Sequence, residues 1–217
     1  MVEKIWLNSY PKGVAPTICV DPSVSLVDMF KSSVKKFGAR PVLSSMGCEI
    51  TYRELDQRSD HFAAYLQNTL QLKKGDRFAI MLPNLIQYVV SVYAALKLGL
   101  VVVNVNPLYT AREVVHQLKD AGAEAIIVLA NFAHTLEKGI GKLPALKHII
   151  ITEVGDAFPA IKACLTNFVV RRVKRLVPVY HLKNVLKYRD VLAKGKKQSL
   201  EPVVLSGSDV AFLQYTG

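Results

Sequence analysis

The feature that most constrains the fold is an alternation of short apolar runs with amphipathic segments of helix length between residues 24 and 153. The apolar runs have the length of β-strands and comprise Arg77–Leu82, Leu100–Asn104, Ala125–Leu129 and His148–Thr152. Nearly continuous apolar strands are typical of parallel sheets that helices cover on both faces. The pattern therefore predicts an α/β fold with a doubly wound, mostly parallel sheet and flanking helices.

Local helix-start signals agree with this alternation. Ser25 immediately precedes an apolar pattern with helical spacing, as a residue that caps a helix N-terminus does. Thr51 with Glu54, and Thr110 with Glu113, have the spacing of capping boxes. In a capping box each of the two side chains accepts a hydrogen bond from a free backbone N–H at the helix start. We therefore expect helices to begin at these three positions.

The positive charge of the chain is concentrated in one segment. The formal net charge is +11, and residues 160–200 contain eleven basic residues and one acidic residue. The rest of the chain is almost neutral, so we expect a local anionic partner rather than a nucleic-acid-binding domain. Within this segment Phe158–Leu176 has the spacing of an amphipathic helix. We divide the chain into an α/β core (24–153), a basic helical segment (158–200) and a last strand region (208–217).

The end of the sequence has an unusual form for a complete domain. Asp209–Tyr215 is predicted to be a strand, and only Thr216 and Gly217 follow it. A buried parallel strand normally leads into a crossover that covers the sheet. We therefore expect the sequence to be part of a longer protein.

The residues alone do not define an active site. No Gly-x-x-x-x-Gly-Lys-Ser/Thr loop, dinucleotide fingerprint or Gly-x-Ser-x-Gly elbow is present. The three cysteines lie far apart and the five histidines are scattered singly, so we predict neither a metal site nor a catalytic residue in this chain. Its apolar runs are too short to span a bilayer, and its start lacks the apolar stretch of a signal peptide, so we predict a cytoplasmic protein.

Several stretches resemble, in order, landmarks of the adenylate-forming superfamily of acyl-CoA synthetases, luciferases and peptide-synthetase adenylation domains. These stretches are Ile50–Leu55, Lys74–Asn84, Ala94–Gly99 and Asp209–Gly217. A further stretch, Asn104–Glu113, resembles the long-chain fatty-acid–CoA ligases specifically. The resemblance covers most of the chain and is weak before Val24 and in the basic segment. It implies that residues 1–217 form an incomplete large amino-terminal domain of an adenylate-forming enzyme.

The resemblance also implies an activity. Such ligases join a fatty acid to ATP, which gives an acyl-adenylate and pyrophosphate, and CoA then displaces AMP. In such enzymes the charge of the ATP phosphates is neutralised by Mg²⁺, loop hydroxyls, backbone N–H groups and a lysine. Tyr215, Thr216 and Gly217 match the start of the family's ATP phosphate loop, and the other functional motifs would lie beyond Gly217. We therefore expect the 217-residue chain alone to be inactive.

Two other functions stay open at this point. One is another acyl- or aryl-CoA ligase of the superfamily, such as a medium-chain enzyme. The other is a non-enzymatic protein that binds lipid or a membrane surface, which the basic segment alone would favour. For the ligase we expect fatty acid, ATP and CoA as partners, and peripheral contact of Lys162–Lys197 with the anionic inner face of the membrane. A solvated helix face whose apolar side packs on the domain fits the same pattern equally well, and both placements stay open. A homodimer also stays open.

Overall fold

The computed structural model describes residues 4–19 and 21–215, and its helices and strands alternate through most of that range. In chain order they are α1 (Leu26–Phe37), β1 (Pro41–Ser45), β2 (Cys48–Thr51), α2 (Tyr52–Asn68), β3 (Arg77–Met81), α3 (Ile86–Lys97), β4 (Val101–Asn104), α4 (Ala111–Asp120), β5 (Ala125–Leu129), α5 (Ala133–Glu137), β6 (His148–Thr152), α6 (Ala160–Phe168), β7 (Val185–Lys187), α7 (Tyr188–Gly195) and β8 (Phe212–Leu213). A π-helical segment, Val169–Val173, continues α6.

Six of the strands form one parallel sheet, which confirms the predicted fold class. The spatial order is β7-β6-β5-β3-β4-β8, and every neighbouring pair is parallel. β1 and β2 form a separate antiparallel hairpin. The predicted strand at Asp209–Tyr215 is present as the shorter β8, which pairs with β4. The sheet is doubly wound because its connecting helices cover both faces.

Alternate residues of the strands enter two different cores. Phe78 and Ile80 pack with α1, α2, α3 and α7 on one face of the sheet. Ala79 and Met81 pack with α4 and α5 on the other face. All four side chains are at most 1% exposed, which explains why β3 is apolar along its length instead of alternating apolar and polar residues.

Side-chain caps fix the predicted helix starts. The Thr51 hydroxyl accepts from the Glu54 backbone N–H at 3.2 Å, and the Glu54 carboxylate accepts from the Thr51 N–H at 2.7 Å. Thr110 and Glu113 repeat this arrangement at the start of α4. Ser25 caps α1 in the same reciprocal way, with its neighbour Asp28 as the acidic partner. The three predicted helix starts are therefore confirmed.

The α/β alternation extends further than the sequence analysis predicted. We expected it to stop after Glu153, but β7 pairs with β6 and α7 packs against α2. Tyr188 of α7 is fully buried, and a Cβ atom on Gly195 would lie 1.8 Å from the His61 carbonyl oxygen. Only a glycine permits this approach of α7 to α2. Residues 185–195 thus belong to the same sheet and core as residues 24–153.

One lysine is buried in an ion network between α2 and α3. The Lys97 side chain is 3% exposed, and its Nζ donates to Asp56 at 2.7 Å and to Asp60 at 2.6 Å. It also donates to the Ser59 hydroxyl at 2.8 Å, while Lys31 donates to Asp56 at 2.7 Å. Burial lowers the pKa of Lys97, and its hydrogen bonds with the two carboxylates oppose that shift. The charge of Lys97 therefore depends on Asp56 and Asp60.

Helix α6 and its π-helical continuation lie within the predicted amphipathic helix Phe158–Leu176. Amphipathicity left two placements open for the apolar side, and packing on the domain is not the one observed. Ile161, Leu165 and Phe168 are 88%, 62% and 56% exposed. None of the helices in residues 4–19 and 21–215 combines the length and the apolar character of a membrane span.

Candidate functional site

A cleft opens at the carboxyl ends of the central strands. The chain leaves β3 towards α3 on one face of the sheet, and it leaves β4 and β5 towards α4 and α5 on the other face. Neighbouring connections that diverge in this way open a crevice at the sheet edge, where α/β proteins bind ligands. Here the cleft has a volume of about 680 Å³, and its polar lining residues are Asn84, Tyr88, Asn104, Asn106, Tyr109, Gln214 and Tyr215.

Asn104, the last residue of β4, organises this cleft. Its side-chain carbonyl accepts from the Tyr88 hydroxyl at 3.1 Å, and its amide donates to the Gln214 side-chain oxygen at 3.0 Å. Its backbone carbonyl accepts from the Gln117 amide at 2.7 Å. Asn104 therefore joins α3, α4 and the residue that follows β8. These contacts place the chain at Gln214 and Tyr215 along the cleft.

Tyr215 is the one predicted binding residue that the structure describes. Its ring lines the cleft, and its hydroxyl donates to Asp120 at the end of α4 at 2.5 Å. Burial and the hydrogen bond to Asp120 raise the pKa of Tyr215 to about 12. The phenol is therefore neutral at physiological pH, and it fixes the end of β8 to α4.

The other two predicted binding residues, Thr216 and Gly217, lie outside the described residues. Their assignment to an ATP phosphate loop stays a prediction. What the structure adds is the position of Tyr215 immediately before them, beside the cleft at the carboxyl ends of β3 and β4.

Sequence reasoning missed the residues that hold the cleft together. Asn104 was named as the end of an apolar strand and as the start of the stretch Asn104–Glu113, without a role of its own, and Gln117 and Gln214 were not singled out. The signal available was a polar amide directly after the buried Val101–Val103 run, at the edge of a parallel sheet where ligands bind. The pairing of Asn104 with Gln214 joins residues 110 positions apart, so no local pattern predicts it.

No carboxylate lines the cleft in the part of the chain that the structure describes. Across residues 4–19 and 21–215, no three His, Cys, Asp or Glu side chains converge to form a metal-binding group. Magnesium prefers carboxylate and phosphate oxygens. These described residues therefore do not fit a resident magnesium site.

The fold places an open cleft at the carboxyl ends of parallel strands, which is where α/β proteins bind their ligands. The model of the AMP-binding enzyme family matches residues 30–217. The chain belongs to the AMP-binding enzyme family.

Individual relatives add detail. The chain is 50% identical over 216 residues to a long-chain-fatty-acid–CoA ligase from Escherichia coli O157:H7, covering 100% of this chain and 38% of the relative. An anthranilate CoA ligase, AuaEII, solved in complex with anthranoyl-AMP, superposes with a TM-score of 0.72 at 19% identity. That match covers 91% of this chain and 33% of AuaEII.

A long-chain-fatty-acid-CoA ligase (FadD1) from Archaeoglobus fulgidus superposes with a TM-score of 0.66 at 19% identity, over 92% of this chain and 35% of that one. Identities this low support the fold alone. The chain thus spans about 38% of the length of the E. coli relative and about a third of the two solved structures.

Proposed function

We propose that the protein to which this chain belongs is an ATP-dependent, AMP-forming long-chain fatty-acid–CoA ligase. The observation that carries the proposal is the 50% identity to the E. coli long-chain-fatty-acid–CoA ligase along the whole chain. The cleft at the carboxyl ends of β3 and β4, with Tyr215 along it, supports the same proposal. Because the chain spans 38% of that relative, the activity is proposed for the intact protein.

The proposed reaction has two displacement steps. A carboxylate oxygen of the fatty acid attacks the α-phosphorus of ATP, the new O–P bond forms, and pyrophosphate leaves. The thiol sulfur of CoA then attacks the acyl carbon, AMP leaves with the carboxylate oxygen, and the thiol proton is released. Both steps require neutralisation of phosphate charge. Magnesium belongs to this proposal as the cation that accompanies ATP, because the described cleft offers no carboxylate to hold it.

Product formation tests the proposal and its alternatives. We expect the purified intact protein to convert a C16 or C18 fatty acid, ATP and CoA to acyl-CoA and AMP, measured by mass spectrometry. Octanoate and anthranilate serve as matched acids for a medium-chain and an aryl-CoA ligase. Faster turnover of either acid would favour that alternative, and no acyl-CoA from any acid would favour a non-enzymatic lipid-binding protein.

The 217-residue chain by itself is expected to be inactive. Among its described residues, the cleft contains no cationic side chain that could neutralise a phosphate. Pyrophosphate exchange with palmitate, ATP and magnesium should not exceed a buffer blank. Exchange above the blank from the pure chain, abolished by heating, would contradict this expectation.

We also propose that the ligase is cytoplasmic and contacts the anionic inner face of the membrane peripherally. The support is the charge of Lys162–Lys197, because basic residues near an anionic surface contribute about 1 kcal/mol each and salt screens them. A homodimer stays a prediction.

A further inference from the structure

Helix α6 and its π-helical continuation face the protein with their polar side. Asn167 accepts from the Gly155 backbone N–H at 2.7 Å and donates to Asp156 at 3.1 Å. Arg171 donates to Glu153. Ala163 is the buried residue of α6, and it lies one helical turn before Asn167 on the same face. Small and polar side chains thus fix the helix to the turn that follows β6.

The opposite side of the same helix is apolar and exposed. Ile161, Leu165 and Phe168 are spaced by four and three residues, which places them on one face. The π-helical segment extends this face. The Lys174 N–H donates to the Val169 carbonyl, five residues earlier, at 2.8 Å. Because a π-helical turn is wider than an α-helical one, Val173 lies about one turn beyond Phe168 on the same side. Val173 is 63% exposed. We call these four side chains the apolar stripe.

Basic residues flank one end of the apolar stripe. Arg172, Lys174 and Arg175 are exposed, and none of them forms an ion pair among the described residues. In residues 160–200 the one acidic residue is Asp190, which lies in α7. The stripe therefore has a cationic end with no neighbouring acid in the segment.

We propose that the apolar stripe inserts into the surface of an anionic lipid bilayer, with Arg172, Lys174 and Arg175 at the lipid phosphates. This inference deepens the proposed membrane contact and rests on it. An interfacial helix needs an apolar face that enters the boundary between headgroups and acyl chains, and cations beside it. Both are present, and the polar contacts of Asn167 and Arg171 hold the apolar face outward.

The form and the charge of this surface fit a bilayer. The stripe runs along the outer side of one helix with cations at its end, which is the form of a helix that lies in a bilayer interface. The charged residues beside the stripe are all cations. A uniformly anionic lipid surface attracts them without the need for individual partner residues. The lipid also supplies the setting in which a long-chain fatty acid partitions.

The first experiment measures binding of the intact protein to vesicles in the absence of ATP, CoA and fatty acid. We expect sedimentation with phosphatidylcholine–phosphatidylglycerol vesicles, and weak binding to pure phosphatidylcholine. The double variant Leu165→Ser/Phe168→Ser should lower the partition coefficient at least about tenfold. The triple variant Arg172→Gln/Lys174→Gln/Arg175→Gln should lower it about a hundredfold at low salt.

Matched controls change similar residues elsewhere. Val204 is 89% exposed and lies outside the stripe, so Val204→Ser should bind as the parent does. Lys196 and Lys197 are exposed and lie away from α6. The next residue, Gln198, donates from its side-chain amide to Thr69, at the C-terminal end of α2. Lys194 is exposed as well, so the triple variant Lys194→Gln/Lys196→Gln/Lys197→Gln removes the same number of charges and should reduce binding less than the change at Arg172, Lys174 and Arg175 does.

A second experiment locates the stripe. In Phe168→Trp, the added tryptophan fluorescence should be quenched by iodide in solution, and by brominated lipid once anionic vesicles are present. Shielding from iodide without vesicles would show that another part of the protein or a second copy covers the stripe, which would overturn the inference. Stripe variants that bind vesicles as the parent does would also overturn it. Failure of the ligase assay, which uses different reagents, would instead overturn the proposed function.

Discussion

The double variant Asp56→Asn/Asp60→Asn is expected to lose about 3–5 kcal/mol of the free energy of unfolding. It leaves the ammonium of Lys97, 3% exposed, without the two carboxylates that lie within 2.7 Å of it. The geometry of the side chains is preserved, so the loss reports the uncompensated buried charge. Urea unfolding of the intact protein measures it, as a lower midpoint with an unchanged dependence on urea.

Removing the buried charge as well should recover stability. The triple variant Asp56→Asn/Asp60→Asn/Lys97→Met is expected to be more stable than the double variant, because methionine fills the same space next to Phe30 without a charge.

A surface ion pair provides the matched control. Lys147 is 63% exposed and pairs with Glu124, so Lys147→Met should lower the free energy of unfolding by less than about 1 kcal/mol. A double variant no less stable than this control would show that Lys97 does not depend on the carboxylates.

Replacing Thr216 with valine in the intact enzyme is expected to slow adenylation by about one to two orders of magnitude. The resemblance places Thr216 in the ATP phosphate loop, where its hydroxyl would donate a charge-assisted hydrogen bond of about 1.5–3 kcal/mol to a phosphate. Gly217→Val should also impair the step, because a side chain prevents the backbone from approaching the phosphate closely. The measurement is kcat/KM for ATP in the adenylation half-reaction.

A stability measurement separates this role from a purely structural one. Valine has nearly the shape of threonine, so Thr216→Val should keep the melting temperature of the parent while losing activity. Activity that falls only in step with the melting temperature would mean that Thr216 simply ends a strand. Two folded variants with the parent value of kcat/KM would show that the phosphate assignment is wrong.

The sheet could be predicted from the sequence wherever burial alone determines it. β5 and β6 begin and end at the predicted residues, because both are apolar runs bounded by turns. The hydrogen-bonding pairs Thr51–Glu54 and Thr110–Glu113 are equally local and were predicted. By contrast, β7 is three residues long and lies among basic residues, so it is defined by its pairing with β6 rather than by its own pattern.

The orientation of α6 and the cleft depend on contacts between distant residues. Amphipathicity predicts two faces of a helix but not which of them faces the protein. Here the hydrogen bonds of Asn167 to Gly155 and Asp156 determine which face of α6 is turned towards the protein.

The cleft likewise depends on contacts between distant residues. The Asn104 amide meets Gln214 only because β4 and β8 are neighbours in the sheet. Sequence reasoning therefore predicted the strand that leads to Tyr215 but not the residues that shape the cleft.

Fatty-acid-dependent exchange of labelled pyrophosphate into ATP is the most direct test of the proposed ligase activity. With the intact protein and magnesium, palmitate should stimulate the exchange strongly in the absence of CoA, because adenylation is reversible and precedes thioester formation. Benzoate and amino acids at the same concentration should leave it near the blank. Exchange that does not depend on palmitate, or that an aryl or amino acid stimulates more than palmitate does, would contradict the assignment.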